Sequence, residues 1–185
     1  MANDAGKIVV GANGAVYVAA VGATGPTDAT TTLNASWVEL GYVSENGVQV
    51  TPSQAVTPIM AWQSAYPIRR IVTTRDLVLD FVLREFNESS LPLAMGGGTL
   101  TEVSAGVFTF TPPDAGDVDF RAMVVDWNDD TRDYRLYIPN GQVLDLGAFS
   151  LSRTAPAELP IKFGLNAAGS TTPWTLFSDD GGLGS

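Results

Sequence analysis

The chain has 185 residues, which is enough for one domain with a buried core, and its 20 acidic and 10 basic residues give a formal charge of −10. It contains no cysteine and no histidine, which excludes disulfides and thiolate metal sites and removes the commonest general base. The acidic balance argues against tight nucleic-acid binding, because such binding depends on cations that meet phosphates. We therefore expect a single domain over 1–185 that is not an enzyme and that holds no cofactor and no metal.

The first third of the chain alternates short apolar segments with polar loops. Residues 1–10 are predicted to form an N-terminal arm. They lack the basic region followed by an apolar core that is typical of a signal peptide. No apolar stretch approaches the ~20 residues of a transmembrane helix, so we expect the protein to be made and assembled in a cytoplasm. A strand is predicted at Ala15–Val21, followed by a polar loop over 22–36 and a second strand at Trp37–Leu40. Asn46-Gly47 is a strong turn signal.

The most unusual feature is a run from Ile68 to Glu85, IRRIVTTRDLVLDFVLRE, which contains no glycine and no proline. As a strand it would be ~60 Å long at ~3.3 Å per residue, whereas ordinary strands have ~5–6 residues. Such a strand either bends at a bulge or extends past its own domain. The proline-containing stretch 52–67 is predicted to be an excursion that joins two strands of a long hairpin over 48–85. Alternation along the run from Ile68 to Glu85 predicts one apolar face that carries Ile71, Leu77, Leu79, Phe81 and Leu83.

The remainder predicts one helix and several antiparallel strands. The helix is expected over 87–96, with Asn87 as its N-cap and Gly96 as the residue that ends it. Turns are predicted at Asn128-Asp129-Asp130 and Pro139-Asn140-Gly141, and the residues 178–185 are predicted to be a flexible C-terminal tail. The predicted strands are Val107–Thr111, Val118–Trp127, Asp133–Ile138, Gln142–Leu146, Glu158–Leu165 and Trp174–Phe177. The fold class is therefore mainly β, a β-sandwich or barrel with one short α-helix.

Several motifs allow more than one interpretation. Asp126–Asp130 begins like a calcium loop, but Thr131 and Tyr137 stand where glycine and a bidentate glutamate are needed, so a hairpin turn is favoured. The arginines of the long run either pair with neighbouring acids across the sheet or form salt bridges across a subunit boundary. Trp62 lies between prolines, and we interpret it as an interface anchor.

The order of several segments makes a family resemblance visible. AVYVA follows GANG, and SWVELGYVSENGV, TPSQAVTPIMAWQ, RRIVTTRDLVLDFVLREFN and RDYRLYIPNGQV come later. From about Gly11 to Phe163 the chain closely resembles the major tail tube protein of long-tailed, non-contractile (siphovirus-type) bacteriophages that infect actinobacteria.

The resemblance implies a structural protein of the virion tail, assembled in the bacterial cytoplasm. Such proteins form hexameric rings that stack into a hollow tube, and the long hairpins join a ring-wide β-barrel through which double-stranded DNA passes into the host cell. The implied partners are further copies of the chain, the tape measure, tail terminator and tail-tip proteins, and DNA in transit without tight binding, with no membrane insertion. The lumen-facing candidates are Arg70, Thr74, Asp76, Asp80 and Arg84, and the interface candidates are Trp62, Arg69 and Arg75.

The arms 1–10, 22–36 and 52–67 are expected to reach adjacent rings and to become ordered on assembly. Three alternatives remain open. One is the inner tube protein of a contractile tail or secretion machine. A second is a monomeric carbohydrate- or host-binding β-sandwich that uses Trp62 or Trp174 as a sugar platform. A third is a hydrolase with two catalytic carboxylates, which no catalytic motif supports.

Overall fold

The computed structural model describes residues 7–129, 131–149, 151–169 and 172–184. The fold is mainly β with antiparallel pairing and one short helix, which confirms the predicted fold class. The strands are β1 Asn13–Ala20, β2 Val38–Glu39, β3 Val43–Ala61, β4 Ser64–Leu83, β5 Thr99–Ser104, β6 Val107–Thr111, β7 Arg121–Asp129, β8 Arg132–Leu146, β9 Leu159–Leu165 and β10 Thr175–Ser178, and α1 is Ser90–Ala94. Residues 1–6 of the predicted N-terminal arm lie outside the described residues.

The main sheet has the order β2-β1-β7-β8-β9-β4-β3, and β10 pairs with β8 as well. The N-terminal half of β8 pairs with β7 and β10, and its C-terminal half pairs with β9. The prediction of a turn at Pro139-Asn140-Gly141 is therefore wrong, because these residues lie inside β8. A Cβ on Gly141 would lie 2.4 Å from the ring of Phe163, so glycine permits the close approach where β8 passes from one half of the sheet to the other.

The main core cluster combines buried side chains of β1, β4, β7, β8 and β9 with Leu93 and Ala94 of α1. Its largest fully buried side chains include Leu40, Leu79, Leu83 and Phe163. Along β4, alternation buries every second residue from Leu77 to Leu83, as predicted, whereas Ile71 is exposed. Alternation along β9 buries Leu159, Ile161 and Phe163, leaves Leu165 half-buried against the core and exposes Lys162.

The helix α1 is shorter than the predicted span 87–96, since Pro92 and three glycines keep it to little more than one turn. The N-cap residue is Ser89 and not Asn87 as predicted, but the side-chain oxygen of Asn87 accepts hydrogen bonds from the backbone N–H groups of Ser89 and Ser90 at 2.9 and 2.7 Å. Gly96 has a φ of +71° and ends the helix, as predicted. Among the described residues, no helix has the length and hydrophobicity that a membrane span requires.

Two further segments differ from expectation. β5 was not predicted, and with β6 it forms a separate two-stranded sheet. The predicted tail 178–185 begins inside β10, and the carboxylates of Asp179 and Asp180 accept hydrogen bonds from Asp133 N–H and the Tyr134 hydroxyl at 2.7 and 2.8 Å. A short 3-10 turn, Gly181–Gly184, follows.

Candidate assembly surface

A two-stranded arm projects from the sheet. β3 and β4 pair with each other over almost their whole length, but β9 accompanies β4 only from Val78 to Leu83. Every residue from Gln49 to Met60 is exposed, and so are the residues of β4 from Ile68 to Asp76. We call residues 49–76 the arm. The stretch 52–67, predicted to be an excursion, instead continues both strands to the arm's tip.

The prolines of the arm are compatible with strand structure because of their position. β3 is the last strand of the sheet, and the part of β4 that contains Pro67 has no second neighbour among the described residues. A proline can occupy such an edge because the ladder hydrogen bond it cannot donate is not needed there. Asn46-Gly47 does not reverse the chain either. It lies within β3 as a bulge, with Gly47 at a φ of +65°, and the pairing shifts from Val43 with Leu83 to Val48 with Phe81.

A second bulge exchanges the faces of β4 within the arm. Ala55 pairs with Thr74, but the next residue of β3, Val56, pairs with Val72, which leaves Thr73 as an extra residue. The Thr73 hydroxyl donates a hydrogen bond to the carbonyl of Ala55 at 3.2 Å. Paired residues share a face of the sheet, and each extra residue inverts the alternation that follows. Positions 74, 76 and 80 of β4 therefore share a face with 71 and 69, and not with 72 and 70.

The two faces of the arm consequently differ in polarity. We call the face opposite the core the polar face. Its residues on β3 are Gln49, Thr51, Ser53, Ala55, Thr57 and Ile59. Their partners on β4, in the same order, are Asp80, Val78, Asp76, Thr74, Ile71 and Arg69. We call the other face, which continues the core side, the apolar face. Beyond the core it carries Pro52, Val56, Pro58 and Val72, together with the polar residues Gln54, Arg70 and Arg75. Val56 and Val72 are exposed although they pair with each other.

The lumen-facing candidates fall on both faces. Thr74, Asp76 and Asp80 lie on the polar face, and Arg84 follows β4 on the same side by alternation. The guanidinium of Arg84 pairs with the Glu158 carboxylate at 3.1 Å. Arg70 lies on the apolar face, opposite Pro58. The prediction that all five share one wettable face is therefore wrong for Arg70, because it extended the alternation through the bulge at Thr73.

The interface candidates are all exposed. Arg69 lies on the polar face, and Arg75 lies on the apolar face opposite Gln54. Within the described part of the chain, no acidic group lies within ion-pair distance of Arg69, Arg70 or Arg75. Trp62 stands at the tip of the arm, between β3 and β4, and its side chain is 100% exposed. The cross-strand pairing that offered an alternative for the arginines is thus present only for Arg84.

A hollow of about 420 Å³ opens on the polar side at the base of the arm. We call it the basal hollow. Val82 and Pro160 contribute apolar wall, and Asp80, Lys162 and Asp145 contribute charge from three adjacent strands. Ser44 also lines it, and within the described part of the chain its buried hydroxyl has no hydrogen-bond partner. No local sequence pattern predicts this hollow, because it depends on the bulge at Asn46-Gly47 and on the neighbouring strands.

The loop 22–36, expected to reach an adjacent ring, is bonded to its own sheet. Arg135 is buried and donates to the backbone carbonyls of Asp28 and Thr31 at 3.1 and 2.7 Å. Its guanidinium also donates two hydrogen bonds of 2.7 Å, from Nε and Nη2, to the two carboxylate oxygens of Asp126. The Trp37 indole N–H also donates to the Thr24 carbonyl at 2.9 Å. Sequence reasoning missed this network because its members are far apart in the chain.

The Asp28 carboxylate organises the same loop locally. It accepts hydrogen bonds from the Thr31 hydroxyl and from the backbone N–H groups of Thr31 and Thr30. These bonds hold the pKa of Asp28 well below its usual value of 3.8. The Asp126 carboxylate, considered above as a calcium ligand, is paired with Arg135 in the β7–β8 hairpin, while Asp130 lies outside the described residues. The described residues contain no group of three or more acidic side chains that fits a metal ion.

A family model described as "Phage tail tube protein" matches residues 1–183. A search of curated proteins finds no match.

Proposed function

The chain belongs to the phage tail tube protein family, and on that premise we propose that it polymerises as stacked hexameric rings into a tail tube that conducts double-stranded DNA into the host cell. A structural role in the virion tail follows from the family itself. The six-fold symmetry and the non-contractile type rest on the resemblance of the sequence. The partners we propose are the tape measure, tail terminator and tail-tip proteins, with assembly in the host cytoplasm.

The observation that carries the proposal is the arm with two unpaired strand edges. The outer edge of β3 has no neighbour among the described residues, and the outer edge of β4 has none before Val78. Long exposed edges are usually avoided, because their free N–H and C=O groups pair with other chains. In a closed ring, the β3 edge of one copy pairs with the β4 edge of the next, and closure of the barrel leaves no edge exposed. The contact joins two different surfaces, as ring formation requires.

We propose that the polar face lines the channel. Asp76 and Asp80 bear negative charge there, Arg84 is neutralised by Glu158, and the threonines and serine between them are uncharged. DNA adheres to a wall through cation–phosphate contacts that release counterions, so a wall with few free cations lets it pass. The apolar face then packs against protein. Arg69 replaces Arg70 in the channel set because of the bulge at Thr73, while Arg75 and Arg70 are left for contacts between subunits.

Electron microscopy of an armless variant tests the proposal. Residues 53–76 are replaced by Asn-Gly, which joins Pro52 and Leu77, a directly paired couple, through a two-residue hairpin turn. We expect hollow tubes of uniform width from the unaltered protein, alone or seeded on isolated tail tips, and six subunits in end views. The armless variant should melt at the same temperature but form no tubes, because the arm contributes nothing to the core. Tubes from the armless variant would refute the role of the arm.

A further inference from the structure

Trp62 is placed where a single copy of the chain gives it no partner. Its side chain is 100% exposed at the tip of the arm. An indole combines a large apolar surface with one N–H group that only donates hydrogen bonds. Tryptophan dominates binding energy at interfaces when it enters a pocket and its N–H finds an acceptor. The exposed indole therefore has the properties of an anchor for another surface.

The basal hollow has the matching properties. Its volume of about 420 Å³ lies within the range of small ligand sites. Val82 and Pro160 supply apolar contact for the ring, and Gly47 and Gly147 contribute lining without side chains. Ser44 is buried and its hydroxyl has no hydrogen-bond partner among the described residues, which is an unfavourable arrangement that a donor entering the hollow corrects. The indole N–H is such a donor.

The two features cannot meet within one copy. Gln49 lines the hollow, and Trp62 lies 13 residues further along the arm, a distance of ~43 Å at ~3.3 Å per residue. We propose that Trp62 of one copy inserts into the basal hollow of a second copy in the next ring, with its N–H donated to the Ser44 hydroxyl. The inference rests on the proposed tube. Trp62 and the basal hollow lie on different surfaces of the chain, so each copy can bind one copy above it and one below it. The contact therefore repeats without closing, and it stacks rings with an axial rise of at most ~43 Å.

Two single substitutions test the contact from its two sides. Trp62→Ala should raise the critical concentration for tube formation at least ~10-fold, in the range of a hot-spot residue, while the matched control Tyr66→Ala, which removes another exposed aromatic of the arm, should change it little. Ser44→Ala should also weaken tube formation. It should leave the melting temperature of the monomer unchanged or higher, because the hydroxyl that it removes is unpaired.

A mixing experiment separates this contact from a general loss of assembly. Gln49→Phe fills the basal hollow from an exposed position and keeps Trp62, whereas Trp62→Ala keeps the hollow and removes the indole that enters it. At a protein concentration just above the critical concentration of the unaltered protein, neither variant alone should stack rings. Mixed at that concentration, they should form two-layer complexes that grow no further, because each Gln49→Phe copy inserts its Trp62 into a Trp62→Ala copy, which has no tryptophan at the tip to insert into a third. Extended tubes from either variant alone at that concentration would overturn the inference.

Crosslinking gives the position directly, because the chain has no cysteine of its own. Asn46→Cys at the hollow and Gln63→Cys beside Trp62, joined by a short bismaleimide, should give a ladder of covalent multimers in tubes. A control pair of Gln63→Cys with Asp117→Cys should not. Normal tubes in which Trp62→Ala has no effect and no ladder forms would refute the docking of Trp62 and leave the proposed function standing. If the unaltered protein forms no tubes even on tail tips, the proposed function fails, and the inference fails with it.

Discussion

Replacing Arg135 with alanine should destabilise the whole fold, although the residue lies far from the arm. Its guanidinium is 94% buried and makes four hydrogen bonds, two to the Asp126 carboxylate and two to carbonyls of the loop 22–36. Removing one partner of a buried ion pair costs about 3–5 kcal/mol, because the other charge stays buried without compensation. Asp126 keeps 24% of its side chain exposed, so water screens part of that cost. We expect a loss of about 3 kcal/mol in the free energy of unfolding.

The loss should appear as a lower melting temperature and a freer loop. For a chain of this size, about 3 kcal/mol corresponds to a decrease of about 6–12 °C in the melting temperature. Calorimetry and urea titration at neutral pH measure it, with an unchanged urea m-value indicating that the unfolded state is unaffected. Hydrogen exchange should quicken at Thr30 and Thr31, whose amides bond to Asp28 in the anchored loop. Arg135→Lys should recover only part of the stability, since an ammonium cannot make the paired contact.

Arg84→Ala is the matched control. Arg84 also pairs with a carboxylate, that of Glu158, but 38% and 44% of the two side chains are exposed. Exposed pairs contribute about 0–1 kcal/mol, so this variant should melt within a few degrees of the unaltered protein. If Arg135→Ala costs less than about 1 kcal/mol, or no more than Arg84→Ala, the loop is not held by this guanidinium and the reasoning is refuted.

Two further changes test the arm and the loop. Inserting one alanine between Ala55 and Val56 gives Thr73 a partner on β3 and removes the bulge, and it should abolish tube formation, because the distal residues of both strands then exchange faces, while the melting temperature stays within about 2 °C; deleting Thr73, which keeps Val56 paired with Val72 and every distal residue on its face, should still assemble, and tubes from the insertion variant would contradict the face assignment. Asp28 has a pKa below its usual value of 3.8 in the folded protein, so its ionised form stabilises the fold above about pH 4 and that contribution disappears as the pH falls below it. The difference in melting temperature between the unaltered protein and Asp28→Asn should therefore be constant above about pH 5 and should shrink on acidification, and a constant difference down to about pH 2 would rule this out.

Much of the fold follows from local patterns in the sequence. Strict alternation from Leu77 to Leu83 and from Leu159 to Phe163 predicts which side chains enter the core, because a strand directs successive residues to opposite faces. Asn87 and Gly96 bracket the helix through hydrogen bonds and a φ that depend on neighbouring residues only. The family, too, was visible in the order of short segments, and the family model agrees with it.

Other features depended on contacts between residues distant in the chain. Pro139-Asn140-Gly141 has the composition of a turn, but pairing with β7 and β9 keeps it in one strand. The loop 22–36 is polar and would be free by composition, yet Arg135, more than 100 residues away, satisfies its carbonyls. Alternation along the arm predicts one wettable face until Thr73, where a single extra residue exchanges the faces. The sequence alone thus determined that a long amphipathic hairpin exists, because periodicity is local. Only the tertiary structure decided which side chains share a face, because register depends on the partner strand.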